Sequence, residues 1–196
     1  IDYKRQYARA YYYLGVSFCE EKSFDKAILP LRNAIKYSPK KILPYRLLSL
    51  VYQNRGQLND SIKTIENALR LAPENYELYS DLGDIFLDDD NIKNAKQSYT
   101  KAIELNPQYE EAFLGLGKVY LEEKDYEKSI EYFKKATEFK NDFSEAYYFL
   151  GTVYHDLYLN GHINNLEKAK KFVNIAIEKD PSVAKHYNLL AIIYKD

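Results

Sequence analysis

Three adjacent carboxylates, Asp88, Asp89 and Asp90, form the densest group of potential metal ligands in the sequence. A calcium loop spaces its ligands in alternation and closes on a downstream glutamate. Neither feature is present here, so no metal or other cofactor is expected. His155, His162 and His186 are too widely spaced for a ligand set and are expected as separate surface histidines. The single cysteine, Cys19, cannot form an internal disulfide and leans towards a reducing compartment. No serine or cysteine stands in a recognisable motif with histidine and carboxylate, and no glycine-rich phosphate loop follows a strand. Catalysis is therefore not expected within this chain, and its side chains are left to act by binding.

The elements that position those side chains are copies of one pattern. In the stretch from Asn106 to Lys140, Phe113, Leu116, Gly117 and Tyr120 recur at three- and four-residue intervals and fall on one stripe of a helix. Ser129, Ile130, Phe133 and Ala136 form a second stripe. The polar run Glu122 to Asp125 separates the two, with Asp125 placed to cap the second helix. Helices joined by so few residues turn back on each other.

The pattern returns at a fixed step. Gly15, Ser49, Gly83, Gly117 and Gly151 are each 34 residues apart, and Ala27, Ser61, Ala95 and Ser129 follow in register. Ala34, Ala68, Ala102 and Ala136 do the same, and Pro39, Pro73 and Pro107 close units where a helix cannot continue. One helical hairpin per period of this length predicts an all-α solenoid.

These residues resemble the tetratricopeptide repeat family. The likeness is carried by Tyr11, Leu14, Gly15, Phe18, Ala27, Leu31, Ala34 and Pro39 in the first copy, and by Tyr45, Leu48, Ser49, Tyr52, Ser61, Ile65, Ala68 and Pro73 in the second. It continues through Tyr79, Leu82, Gly83 and Phe86 to Tyr147, Leu150, Gly151 and Tyr154, with Asn141 replacing the closing proline of the fourth copy. The resemblance implies a right-handed α-solenoid of antiparallel helix pairs whose concave face binds a peptide or partner protein. One solenoid domain over 1–196 is expected, with units 8–41, 42–75, 76–109, 110–143 and 144–183 and a terminal helix 184–196. The places at which family members clamp acidic chaperone tails hold Tyr12, Val16, Leu47, Glu77 and Asp81, none of them basic or asparagine, so that ligand is not expected. The asparagine ladder of the family's glycosyltransferase-linked members is replaced by Tyr13, Leu47, Asp81, Gly115 and Phe149.

A formal net charge of −1 argues against general nucleic-acid binding, which needs a surplus of cations. Charge is nonetheless uneven: Ala8 to Lys41 holds seven basic and three acidic residues, and Tyr76 to Tyr109 holds three and seven. No apolar run approaches the length of a membrane helix. The chain begins at Ile1 and contains no methionine, so a piece of a longer protein is expected.

Local departures carry their own expectations. The lead-in to Tyr7 can already be helical, Pro30 should kink or shorten the second helix, and Pro44 falls in a tolerant first turn. Gly56 supplies a tight turn. The fifth copy gains about six residues in a loop near 157–167, as loop-closure entropy permits. On the terminal helix the packing stripe is read as Tyr187, Leu190, Ala191 and Tyr194, leaving Leu189, Ile192 and Ile193 on the far side, a surface suited to self-association.

Helical periodicity then selects the groove. The expected partner-binding residues are Tyr12, Arg46, Leu50, Glu77, Asp81, Asp84, Glu111, Leu114, Lys118, Tyr148 and Thr152. Their acidic centre favours a segment with basic and apolar anchors. A self-associating array or a chaperone for a secretion substrate are the alternatives.

Overall fold

The computed structural model describes residues 2–195, so Ile1 and Asp196 lie outside the described residues. Eleven α-helices occur among them: α1 (Asp2–Glu20), α2 (Phe24–Tyr37), α3 (Leu43–Asn54), α4 (Leu58–Leu71), α5 (Tyr76–Asp88), α6 (Ile92–Leu105), α7 (Glu110–Glu122), α8 (Tyr126–Phe139), α9 (Ser144–Leu159), α10 (Leu166–Lys179) and α11 (Ala184–Lys195). The fold is all-α. The lead-in is helical, as part of α1.

The turns inside the hairpins repeat as faithfully as the helices. Lys22, Gly56, Asp90 and Lys124, each one period apart, all adopt positive φ, from 55° to 69°. The next amide in each case reaches back five residues: Ser23 N donates to Phe18 O, Gln57 N to Tyr52 O, Asn91 N to Phe86 O and Asp125 N to Tyr120 O. This left-handed closure satisfies carbonyls that a helix end leaves unpaired. Asp125 then caps α8 by accepting from the Lys128 amide at 3.2 Å, as its position predicted.

Junctions between hairpins use tyrosine. Tyr45 donates its hydroxyl to the Pro39 carbonyl at 3.0 Å, and Tyr79 to the Pro73 carbonyl at 3.2 Å. Where Asn141 stands in place of proline, Tyr147 bonds its side-chain oxygen at 3.2 Å. Part of the tyrosine content therefore fastens one unit to the next.

The helices gather into two compact units, Ile1–Ser98 and Tyr99–Asp196. In the first, α1 packs on α2 and α3, and α3 on α4 and α5. Its core holds Ala27, Leu31, Leu48, Val51 and Tyr52, followed by Ile65, Ala68, Leu78 and Ile85. In the second, α7 packs on α8 and α9, and α9 on α10 and α11, around Phe113, Phe133, Leu150, Val153, Val173 and Ile193. Within each unit, contacts between successive hairpins are those of a repeat stack.

Three local expectations are corrected. Of the two effects expected of Pro30, shortening does not occur: α2 has the same 14 residues as α4, with the proline buried within it. The enlarged fifth turn is mostly not loop. Leu157 to Leu159 extend α9 and Leu166 starts α10, leaving a short link with Gly161 at φ 93° and a 3-10 turn at Ile163–Asn165. On α11 the buried residues are His186, Leu189 and Ile193, whereas Tyr187, Ala191 and Tyr194 face solvent. Both sides of that helix are apolar, so periodicity alone could not tell which one is covered.

Candidate partner-binding site

The first unit brings six of the expected residues into one neighbourhood on α1, α3 and α5: Tyr12, Arg46, Leu50, Glu77, Asp81 and Asp84. A cavity of about 250 Å³ is lined by Tyr12, Arg46, Leu50, Asp81 and Asp84 together with Leu43. Its apolar rim is open, since Leu43 is 58% and Leu50 49% exposed.

Its polar floor is already organised. Arg46 forks onto Asp81, with Nε 2.5 Å from Oδ2 and Nη2 3.0 Å from Oδ1, and its Nη1 donates to Glu77 at 2.8 Å. Paired, planar hydrogen bonds of this kind hold both partners in place. Burial raises the Asp81 carboxyl above its ordinary value, while Arg46 pulls it the other way. Beside them Gln53 donates to Asp88 at 2.6 Å. The predicted acidic centre is thus largely met by the protein's own arginine. Arg46 to Asp81 and Gln53 to Asp88 are each 35 residues apart, one period plus one. That recurring offset was the sequence signal that could have revealed the pairing.

In the second unit, Lys118 and Tyr148 converge on Glu145, which shares their groove-facing register, and on Lys185, which the sequence did not single out. Lys118 Nζ lies 3.2 Å and Lys185 Nζ 3.5 Å from the same Glu145 oxygen. Burial pushes the Glu145 carboxyl up, but the two ammonium groups outweigh it and hold it below its ordinary value. The same lysines cover aromatic faces: Lys118 sits 5.0 Å from the Phe149 centroid and Lys185 4.9 Å from that of Tyr148. Thr152 donates to the Tyr148 carbonyl at 3.1 Å, within its own helix. Glu111 lies 3.8 Å from Lys140; burial raises its carboxyl against that attraction.

Leu114 does not belong to an exposed site. It is 3% exposed and joins the cluster of Phe113, Phe133 and Leu150. Its helix register matches Tyr12, Arg46 and Tyr148, but its side chain is shorter, and the neighbouring core closes over it. His155 and His186 are likewise buried, contrary to the expectation of surface histidines, and only His162 is exposed. Among the described residues no cluster of histidine, cysteine, aspartate or glutamate could hold a metal ion. Nor is any of their helices long and apolar enough to cross a membrane.

Helical hairpins that within each unit pack on their sequence neighbours, with charged and aromatic side chains displayed on first helices, define a protein-interaction scaffold of the α-solenoid class. Tetratricopeptide repeat models match residues 46–110 and 86–152, together more than half of the sequence. The chain belongs to the tetratricopeptide repeat family. Among solved structures it is similar to the MamA protein, at 27% identity over 92% of this chain and 95% of that one, with a TM-score of 0.64. A thermophilic repeat protein of Thermus thermophilus matches at 18% identity, 96% and 100% coverage and a TM-score of 0.82. YrrB, described as a repeat protein with an unusual peptide-binding site, matches at 22% identity, 95% and 91% coverage and a TM-score of 0.60. The last two likenesses are of fold alone. Among the curated proteins nothing matches the chain.

Proposed function

We propose that this protein is a non-catalytic adaptor that holds a peptide segment of a partner against the first helices of its hairpins. The observation that carries this reading is the cavity between α1, α3 and α5, where the exposed Leu43 and Leu50 flank the fixed Arg46–Asp81 pair. Apolar anchors set between oriented polar groups are how a groove gains affinity and direction together. Because Arg46 occupies Glu77 and Asp81, the ligand's apolar side chains carry more of the selectivity here than basic ones do. In the second unit, Tyr148 and Lys118 offer a comparable aromatic and charged surface.

The test is selection of peptides from a displayed random library on the whole chain, followed by calorimetry. Selected peptides should contain a leucine-sized or aromatic anchor and lose about tenfold or more in affinity with Leu50→Glu, the loss expected when an anchor pocket receives a charge. A library that yields no binder, or binders indifferent to Leu50→Glu, overturns the reading.

A second reading, a self-associating array, is favoured by α11, whose Tyr187, Ile192 and Tyr194 are 46%, 52% and 66% exposed. Light scattering over a concentration series separates the two, because a persistent monomer excludes the array.

A further inference from the structure

A larger cavity, of about 710 Å³, adjoins the first and shares Tyr12 and Leu43 with it. Its walls come from the first half of α1, the end of α2 and the connection into α3. Three cations face it, Arg5 and Arg9 from α1 and Lys41 from the connection, among Tyr12, Tyr13, Leu43 and Pro44. Among the described residues no carboxylate lines it.

The state of the two arginines sets them apart from the others. Elsewhere the arginines are engaged: Arg32 donates to the Tyr52 hydroxyl, Arg46 to Asp81 and Glu77, Arg55 to Asp25, and Arg70 to Asn67. Arg5, Arg9 and Lys41 form no ion pair or side-chain hydrogen bond among the described residues. Arg9 only overlies the Tyr13 ring, 5.6 Å from its centroid. Arg5 and Arg9 are also four residues apart on one helix, where like charges repel. An anion bound between them would relieve that repulsion and use two guanidinium forks that form no ion pair among the described residues.

We propose that this cavity is a second binding site, for an acidic peptide segment that also carries an aromatic or aliphatic side chain. The cations take the carboxylates, and the apolar chain lies against Tyr13, Leu43 and Pro44. A peptide fits better than a nucleic acid. Duplex or single-stranded binding needs cations along an extended track to displace many counterions, and here three converge on one recess in a chain of net charge −1. The positions differ from those by which the family clamps acidic tails, which here hold Tyr12, Val16, Leu47, Glu77 and Asp81. The inference goes beyond the first reading: Tyr12 and Leu43 line both cavities, but Leu50 lines only the first and Arg5 and Arg9 only the second, so Leu50→Glu and the arginine variants test the two separately.

Fluorescence anisotropy on the whole chain tests it with three labelled probes: a short peptide of glutamates interspersed with phenylalanine, the same peptide with lysine for glutamate, and an oligothymidylate. The acidic peptide should bind saturably and the lysine peptide should not. Arg5→Glu with Arg9→Glu should weaken the acidic peptide about tenfold or more, as loss of charge-assisted bonds requires. The charge-matched control, Lys63→Glu with Lys93→Glu on α4 and α6, should leave it unchanged. Thermal melts should coincide for both double variants, because Arg5 and Arg9 are exposed. The proposal is overturned by no saturable binding of the acidic peptide, by an equal loss in the control, or by tighter binding of the oligothymidylate. Binding that vanishes only because α1 has melted would show in the thermal scan, and Arg9→Lys, which keeps the charge and not the fork, would then decide by retaining part of the affinity.

Discussion

The hydroxyls of Ser49 and Ser61 lie 2.7 Å apart across the contact between α3 and α4, and the Ser61 hydroxyl also reaches the Ser49 carbonyl at 2.8 Å. Both residues are buried. They occupy the places that Gly15 and Ala27 hold in the first hairpin, so this hairpin replaces close apolar contact with a polar one. In the fourth hairpin the exchange is half made: Ser129 donates to the Gly117 carbonyl at 2.9 Å.

Ser61→Ala should destabilise by about 1 kcal/mol, the usual net worth of a buried hydrogen bond whose partner is left behind. Ser49→Gly combined with Ser61→Ala restores the pairing of the first hairpin and should cost less than the sum of the single changes. Urea melts of the four species form a double-mutant cycle. Strict additivity would show that the two serines do not act as a pair.

Gly117 faces Phe133 so closely that a Cβ built on it would overlap the ring. Phe133 is fully buried and stacks on Phe149 at 5.3 Å between centroids, so it has no room to withdraw. Gly117→Ala should therefore destabilise by about 1 to 3 kcal/mol despite alanine's better helix propensity. Denaturant melts showing a gain would mean that the two helices separate without loss.

Gly56 poses the opposite case, since a Cβ there meets nothing within 4 Å while φ is 69°. Gly56→Ala should cost about 1 kcal/mol through the backbone alone. Lys124 occupies the same left-handed position at φ 59°, so Lys124→Gly should stabilise by roughly 0.5 to 1 kcal/mol. Opposite signs in thermal melts of the two variants check the turn geometry directly.

These turns also show how far sequence reasoning reached. The period located every hairpin, because small residues at helix contacts and breakers at turns leave a mark at each copy. The left-handed turn position was legible only at Gly56, since Lys22, Asp90 and Lys124 bear the same strain without a residue that announces it. The candidate site was partly legible: Tyr12, Arg46, Leu50, Asp81 and Asp84 line one cavity. Leu114 was misplaced because register specifies a direction, while side-chain length and the neighbouring core decide exposure. Charge was misjudged for a related reason, as a count of carboxylates does not include the arginine one unit away that binds them.

Arg46→Leu should expose this cost. It leaves Asp81 and Glu77 without their partner in a partly buried setting and should destabilise by about 1.5 to 3 kcal/mol, the range for hydrogen bonds to charged groups. Arg46→Leu combined with Asp81→Leu should recover much of the loss. Failure of the second change to recover any would place the worth of Arg46 in its aliphatic stem.

His186 supplies the pH dependence. Its ring is 0% exposed, and neither nitrogen has a hydrogen-bond partner among the described residues. Tyr148 from α9 lies 5.5 Å away; the Asp180 backbone, near the ring but outside hydrogen-bond geometry, favours the protonated form, as do the Asp180 and Glu145 charges, while Lys185 opposes it. Burial lowers its pKa below the ordinary value, ahead of every opposing influence. The neutral ring is therefore favoured in the folded state, and the unfolded chain binds the extra proton first. The resulting stability is present above the ordinary histidine range and is lost as pH falls from it through the lowered folded value. Glu145, held below its ordinary value by Lys118 and Lys185, loses its share only at more acidic pH. Hydrogen exchange should show α11 opening before α9 and α10 as the solution is acidified through the first of these ranges. His186→Phe, which fills the site without a titrating group, should flatten that dependence and leave the later one. An unchanged profile would assign the opening to Glu145 and its lysines instead.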